Sequence, residues 1–259
     1  MTTDDAPVRR WRVPLLWRFV LPLSRLVVPL ICRVRVSTSM PYHLTRGPLI
    51  LASNHIGTFD PIAATAACAH MRIAPRMMAT GGLFRAPVLG ALMRAAGHIR
   101  VDRGTGNVAN AVPDAVVALD AESTVFVYPE GRIGLDPGMW PERLRTGLAR
   151  LALTTRAPVV PVAIWGSHEV VAYHGWDSMI GMLLTCLWRR PIVRVHFGAP
   201  VDLSDLTAGT VGDAQRAGDR IADAITAELA PLRKDEPRLP RYHDHTRPVS
   251  AARRRAPTP

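Results

Sequence analysis

Between residues 33 and 231, short apolar runs rich in Val and Ile take turns with longer stretches in which apolar residues recur every three or four positions. The short runs predict strands over 33–37, 48–53, 72–78, 98–101, 123–128, 158–164 and 191–197. The longer stretches predict helices over 60–70, 85–96, 107–120, 145–155 and 213–231. In the last of these, Ala217, Ile221, Ala224, Ile225 and Leu229 fall on one stripe. Strands alternating with helices predict an α/β fold, a mixed sheet flanked by helices. No internal repeat is visible. In such sheets ligands collect outside the ends of strands, and His55 and Glu130 each fall just past a predicted strand.

Two apolar segments stand outside this alternation. "RRWRVPLLWRFVLPLSRLVVPLICRVRV" (9–36) is interrupted by Arg18 and Arg25 and by Pro14, Pro22 and Pro29. It lacks the roughly 20 mostly apolar residues that a spanning helix needs, and no small-residue cleavage site follows it. Trp11, Trp17 and Phe19 beside arginines predict a pair of short amphipathic helices, kinked at the prolines, lying in a membrane interface. The alternative is a helix packed on the domain. "SMIGMLLTCLW" (178–188) is also too short to span, and reads as a core helix or as a second membrane or acyl-chain contact. From Lys234 onward the Pro-rich, polar composition predicts disorder. Three parts result: a basic amphipathic membrane-association segment over 1–35, a globular domain over 36–232, and a basic disordered tail over 233–259.

Composition changes this picture mainly through charge. The 259 residues are 48% hydrophobic and 20% charged, which describes a globular protein. The net charge of +11 resides at the ends. Residues 1–35 carry seven arginines against Asp4 and Asp5; residues 233–259 carry seven arginines and Lys234 against Asp235, Glu236 and Asp244. Basic ends suit an anionic membrane surface or nucleic acid. Together with the interfacial aromatics they lead us to expect the membrane, on its cytoplasmic face, and no nucleic acid; the alternative is solvated tails. Cys32, Cys68 and Cys186, odd in number and set among apolar residues, give no disulfide framework and fit a reducing compartment. No metal-ligand spacing stands out, and neither a metal nor a cofactor is expected.

The candidate chemistry begins in "LILASNHIGTFDPIAATAA" (49–67). It reads as a strand, a turn and a helix, with Asp60 as the N-cap and Pro61 in the first helical turn. That leaves His55 to explain. Histidine, with a reference pKa of about 6.5, is the usual general base near neutral pH. It works best when a carboxylate fixes its tautomer, and Asp60 is one turn away. A hydrolase would also need a nucleophile, yet no G-x-S-x-G elbow occurs, and Ser53 would have to face the same way as His55. A base and its carboxylate without a nucleophile suggest activation of the substrate's own hydroxyl.

These residues resemble a known family, the glycerolipid acyltransferases typified by 1-acyl-sn-glycerol-3-phosphate acyltransferase. "NHIGTFD" is similar to the family's H-x4-D block. "LFRAPVLGALMRAAGHIRVDRG" (83–104), "VFVYPEGRI" (125–133) and "APVVPVAIWG" (157–166) are similar to its second, third and fourth blocks, in the same order. The "DPGMWP" and "TGLARLAL" stretches resemble actinobacterial members. The resemblance implies that His55 deprotonates an acceptor hydroxyl as it attacks an acyl thioester, with Asp60 orienting the ring. It implies that Arg103 binds the acceptor's phosphate, unless it only pairs with Asp102 at the surface. It implies that Glu130 and Gly131 shape the acceptor site, Gly131 through close backbone approach and an amide donor to the oxyanion, unless "PEG" is a plain turn.

The third block departs from the usual P-E-G-T-R. Here Arg132 falls one place early and Ile133 holds the arginine position. Either Arg132 reaches the phosphate by another path or the acceptor differs. Arg145 and Arg150 are further candidates for phosphate or coenzyme-A contacts, and Pro161 is expected to break a strand edge. The expected activity is transfer of a fatty acyl group from acyl-CoA or acyl-carrier protein to a lysophospholipid, most of all 1-acyl-sn-glycerol-3-phosphate. Another lysolipid, an amino-acid lipid, and an esterase or thioesterase reaction are the alternatives.

Overall fold

In the computed structural model, residues 10–102, 108–173 and 179–255 are described. Seven strands form one sheet: β1 (Arg33–Thr38), β2 (Leu49–Ser53), β3 (Arg76–Thr80), β4 (Ile99–Val101), β5 (Thr124–Val127), β6 (Val159–Trp165) and β7 (Ile192–Phe197). Their order is β1-β7-β6-β2-β5-β3-β4. Neighbours are parallel except β6 and β7, so the sheet is mixed, as expected. The helices are α1 (Leu15–Ile31), α2 (Asp60–His70), α3 (Gly81–Arg85), α4 (Pro87–Ala95), α5 (Val108–Asp120), α6 (Thr146–Thr155), α7 (Met179–Arg189) and α8 (Asp213–Leu232).

The central strands read as unbroken apolar runs because both faces of the sheet are covered. Leu49 and Leu51 of β2 point with Phe126 and Val160 into a core closed by α2 and by Val28 of α1. Ile50 and Ala52 point with Val125 and Val127 into a second core closed by α5, α6 and α8. Burying each such Leu, Ile or Phe is worth about 1.5–3 kcal/mol, and the period-2 alternation divides the side chains between the two cores. Edge strand β1, "RVRVST", instead alternates exposed and half-buried positions.

Several expectations are corrected. The strand expected over 72–78 begins at Arg76, because Arg72 adopts a left-handed conformation (φ 57°) that ends α2. Ile73 then donates back to the Cys68 carbonyl at 2.9 Å and buries its side chain, a helix C-terminal motif that imitates a β-branched strand. The helix expected over 85–96 is α4, which starts two residues later because Ala86 is extended before Pro87, and the short α3 precedes it. Pro161 lies inside β6 and does not break its edge. The Ile50 amide donates to Pro158, so even-numbered amides of β6 face β2. The proline's missing N–H therefore lies on the β7 side, one residue before that pairing opens at Val162.

The pair of kinked N-terminal helices is also corrected: α1 is one helix running through Pro22 and Pro29. Trp17 and Val28, three turns apart and on either side of Pro22, are both buried on the domain. The Trp17 indole N–H donates to the Ala96 carbonyl at 2.9 Å. No helix among the described residues is long and apolar enough to cross a membrane.

The disorder expected from Lys234 onward is corrected for residues 234–255, which pack against the domain. Asp244 and Arg247 are buried there, as is Arg233 at the segment's start. The arginines that made the composition look disordered are held by backbone carbonyls and by Asp136, Glu142 and Asp223. Cys32, Cys68 and Cys186 are all buried and unpaired.

Candidate active site

Three neighbouring parallel strands, β6, β2 and β5, end side by side. Each releases a loop that carries part of the site: His55 two residues past β2, Glu130 three past β5, and Ser167 two past β6. Asn54 locks the first loop to β6. Its side-chain amide donates to the Ile164 carbonyl at 2.9 Å, and its carbonyl accepts from the Ile164 N–H at 2.8 Å, as a further strand residue would.

Asp60 is wholly buried, and its carboxylate is the hub of the loop. Oδ2 lies 2.7 Å from His55 Nδ1 and accepts the Ile56 and Gly57 amides at 2.7 and 2.9 Å. Oδ1 accepts the Ser167 hydroxyl. The expected N-cap role is therefore corrected. Asp60 is the first residue of α2, but its oxygens turn back to the preceding loop and make no cap bond. With Nδ1 donating to the carboxylate, Nε2 carries the lone pair and is the nitrogen available to a ligand. The His55 ring stacks on Tyr128, with centroids 4.1 Å apart and planes at 21°.

His55 and Tyr128 head a cavity of about 580 Å³. Its walls are apolar residues of α1, α2, β3, α3 and α4, including Val20, Leu23, Ile62, Met77 and Leu89. His98 also lines it. Burial pushes that histidine down to about 4, with Arg76 adding to the effect, so it is neutral near pH 7. A long apolar chain fits such a space beside the His55 ring.

Glu130 lies beneath the site. Its two oxygens accept the His55 amide at 3.1 Å and the Glu142 amide at 3.2 Å. Burial pushes its carboxyl up to about 7, against the bonds from those amides. It shapes the site through the backbone. Gly131 (φ 73°) closes a turn in which its own N–H donates to the Tyr128 carbonyl at 3.0 Å. The amide expected to serve an oxyanion is thus already used. A Cβ at Gly131 would stand 2.6 Å from Arg145 Nε, so the missing side chain lets Arg145 lie across the turn.

Arg132 donates to buried Glu142 at 3.0 Å, which occupies it in an ion pair. The exposed Arg145 guanidinium has no partner among the described residues. Arg103 lies outside the described residues, and Asp102, its alternative partner, pairs with Arg100 at 2.8 Å. Ser53 is buried and donates to the Asn54 carbonyl, so it does not serve as a nucleophile for His55. Sequence reasoning missed Ser167, Glu142 and Tyr128. The only signal for Ser167 was its place just past a strand beside β2.

The arrangement can take a proton from a hydroxyl at Nε2 while an apolar chain lies alongside, the chemistry of an enzyme that transfers groups on lipid-like molecules. A family model described as Acyltransferase matches residues 33–165, and the chain belongs to that family. It is 30% identical over 130 residues to 1-acyl-sn-glycerol-3-phosphate acyltransferase of Limnanthes douglasii, covering 49% of this chain and 42% of that protein. It is 31% identical over 150 residues to an uncharacterized protein of Mycobacterium tuberculosis (strain ATCC 25618 / H37Rv), covering 52% of this chain and 38% of that one. The chain thus spans less than half the length of these relatives. Among solved structures, the 1-acyl-sn-glycerophosphate (LPA) acyltransferase PlsC from Thermotoga maritima superposes with a TM-score of 0.63 at 16% identity. The match covers 84% of this chain and 80% of that one, and it shows a shared fold.

Proposed function

We propose that the protein transfers a fatty acyl group from a thioester donor, acyl-CoA or acyl-carrier protein, to the free hydroxyl of a lysophospholipid. The preferred acceptor is 1-acyl-sn-glycerol-3-phosphate, and the product is then phosphatidic acid, a step of phospholipid biosynthesis. The observation that carries this reading is the His55–Asp60 pair at the head of an apolar cavity, with the Ser53 hydroxyl turned away to the Asn54 carbonyl. His55 Nε2 takes the proton as the acceptor oxygen attacks the thioester carbonyl. The C–S bond then breaks, and the proton passes to the leaving sulfur. Asp60 holds Nδ1–H and balances the imidazolium formed in between. Names given to the plant relatives and to the structural neighbour support the choice of acceptor.

Arg145 is the cation we assign to the acceptor phosphate, beside whatever Arg103 contributes. The third block lacks an arginine at position 133, and Arg145 lies across Gly131 in its stead. We further propose that the enzyme works as a peripheral or monotopic protein on the cytoplasmic face of the cell membrane. Leu15, Phe19, Leu23, Leu26 and Leu30 form an exposed stripe on α1, beside Arg18 and Arg25. Packed next to it, α7 exposes Leu184, Leu187 and Trp188 ahead of Arg189 and Arg190. Apolar faces edged by arginine suit an anionic bilayer, and α1 is also a wall of the cavity.

The test is purified protein with labelled acyl-CoA, with and without 1-acyl-sn-glycerol-3-phosphate. Acceptor-dependent ester formation is expected, and His55→Ala should reduce it by about 10²–10⁴-fold. Release of free fatty acid independent of acceptor would replace this reading with a thioesterase.

A further inference from the structure

The chain beyond α8 lies outside the segment matched by the family model, and none of the chemistry above uses it. It begins at buried Arg233, whose guanidinium is sandwiched between Trp140 and Trp165 at 4.2 Å from each ring. It then crosses the domain to the loops past β2 and β5. Ser250 donates to the Leu135 carbonyl at 2.8 Å, Arg143 donates to the Arg253 carbonyl at 3.0 Å, and Arg254 pairs with Asp136 at 2.8 Å. Between these contacts, Asp244 accepts the Tyr173 amide at 2.6 Å and the Thr246 amide at 2.9 Å. The turn it forms presents Arg247, whose own amide donates to the Asp244 carbonyl at 3.1 Å.

Arg247 is almost completely buried. Its Nη1 donates to the carbonyl of Ile56, and its Nη2 donates to the carbonyl of Gly134. The Gly134 amide in turn donates to the His55 carbonyl at 2.8 Å. One guanidinium thus ties the loop that carries His55 to the loop that follows Glu130. A buried cation is costly unless it is compensated, and burial lowers the basicity of this one while Asp60, Glu130 and Asp244 oppose that effect. No carboxylate forms an ion pair with it among the described residues. A planar fork with parallel donors suits two carbonyls at a fixed spacing, which an ammonium cannot match. Such a group is well suited to fixing geometry.

We infer that Arg247 is a positioning residue, delivered by a C-terminal strap, that locks the His55 loop against the Glu130 loop and so sets the direction of the His55 ring. The inference rests on the reading of His55 as the base, but the locking can be measured without it. The full chain is compared as wild type, Arg247→Ala, Arg247→Lys and, as a control on the strap's outer contact with Asp223, Arg255→Ala. Amide exchange is followed in peptides covering 54–58 and 131–136, and kcat and KM for acyl-CoA are measured alongside.

Arg247→Ala should speed exchange in both peptides and lower kcat by about 10²-fold, the effect of misplacing a reacting group by about 1 Å. KM should stay within about twofold, since no substrate contact is removed. Arg247→Lys should fall between wild type and Ala on both readouts, and Arg255→Ala should match wild type. If the alanine variant does not fold, the lysine variant decides, and wild-type exchange and kcat in it overturn the inference. Unchanged exchange in folded Arg247→Ala, loosened loops with kcat within about twofold, or a rise in KM alone would also overturn it. Full activity of His55→Ala would instead overturn the assignment of the base, whatever the exchange shows.

Discussion

Replacing Asp60 with asparagine tests the proposed chemistry most directly, because the structure restricts how the amide can sit. Three donors converge on Oδ2, the His55 Nδ1–H and the Ile56 and Gly57 amides, while Oδ1 receives the Ser167 hydroxyl. The amide oxygen therefore takes the Oδ2 place, and the NH2 group faces Ser167. That hydroxyl can rotate from donor to acceptor. The loop and the His55 tautomer are kept, and only the charge is lost. Exchanging a charge-assisted bond for a neutral one removes about 1–2 kcal/mol. That difference already contains the loss of the negative charge beside the imidazolium, and it corresponds to a fall in kcat of about 5–30-fold. The assay is initial-rate transfer from labelled acyl-CoA to 1-acyl-sn-glycerol-3-phosphate, with a melting curve to confirm folding. Activity within about threefold of wild type would show that the carboxylate does not act on the ring. A loss near 10⁴-fold, the size that accompanies a wrong tautomer in a serine protease triad, would show that the ring had turned and that the amide placement is wrong.

Glu130 titrates at about 7 in the fold against an ordinary 4.5, so its contribution to stability is complete below pH 4.5 and is lost as pH rises through 7. Wild type should therefore lose up to about 3 kcal/mol of unfolding free energy over that window relative to Glu130→Gln, and parallel pH profiles would refute this. Arg145→Ala should lower kcat/KM for a phosphate-bearing acceptor by about 10–150-fold with little change in melting temperature. Arg132→Ala should do the opposite, destabilising the fold because Glu142 loses the nearer of its two ion-pair partners, at 3.0 Å, and keeps only Arg253 at 3.9 Å; a reversed pattern in the two variants would exchange their roles. Phe19→Ser with Leu26→Ser, both outside the cavity wall, should weaken binding to anionic vesicles by at least about 10²-fold, at about 1.5 kcal/mol or more per side chain. Unchanged vesicle sedimentation would mean that the α1 stripe faces something other than lipid.

What was legible in the sequence is what short-range physics decides. β2, β5 and β6 stand out because both their faces are buried, so no polar residue interrupts them. His55 and Asp60 stand out because five residues of chain bring them together. Ser167 does not, since it is 107 residues from Asp60 and meets it only because β6 was placed beside β2. Arg247 is 191 residues from the carbonyl that it holds. α1 was misread because proline usually breaks a helix, whereas here packing at Trp17 and Val28 outweighs the lost backbone bond. The C-terminal strap was misread for a related reason. A proline- and arginine-rich composition lacks apolar area for a core of its own, but this segment borrows the domain's carbonyls and carboxylates.

The same contrast explains the displaced arginine of the third block. A motif read along the chain treats Arg132 and the arginine missing at 133 as one residue moved by one place. In three dimensions they are separate questions. Arg132 answers to Glu142, whose carboxylate also accepts the Leu135 amide at 3.1 Å and so fixes the loop after Glu130. The space over Gly131 is filled from another direction, by Arg145, whose backbone is anchored when its amide donates to the Pro129 carbonyl at 2.9 Å. A cation can thus be retained over the turn while the motif arginine is lost, provided that position 131 has no side chain. Gly131→Ala should therefore displace Arg145 and strain the turn at φ 73° together. Its effect on kcat/KM should equal or exceed that of Arg145→Ala, and a smaller effect would show that Arg145 reaches the acceptor by a path that does not cross the turn.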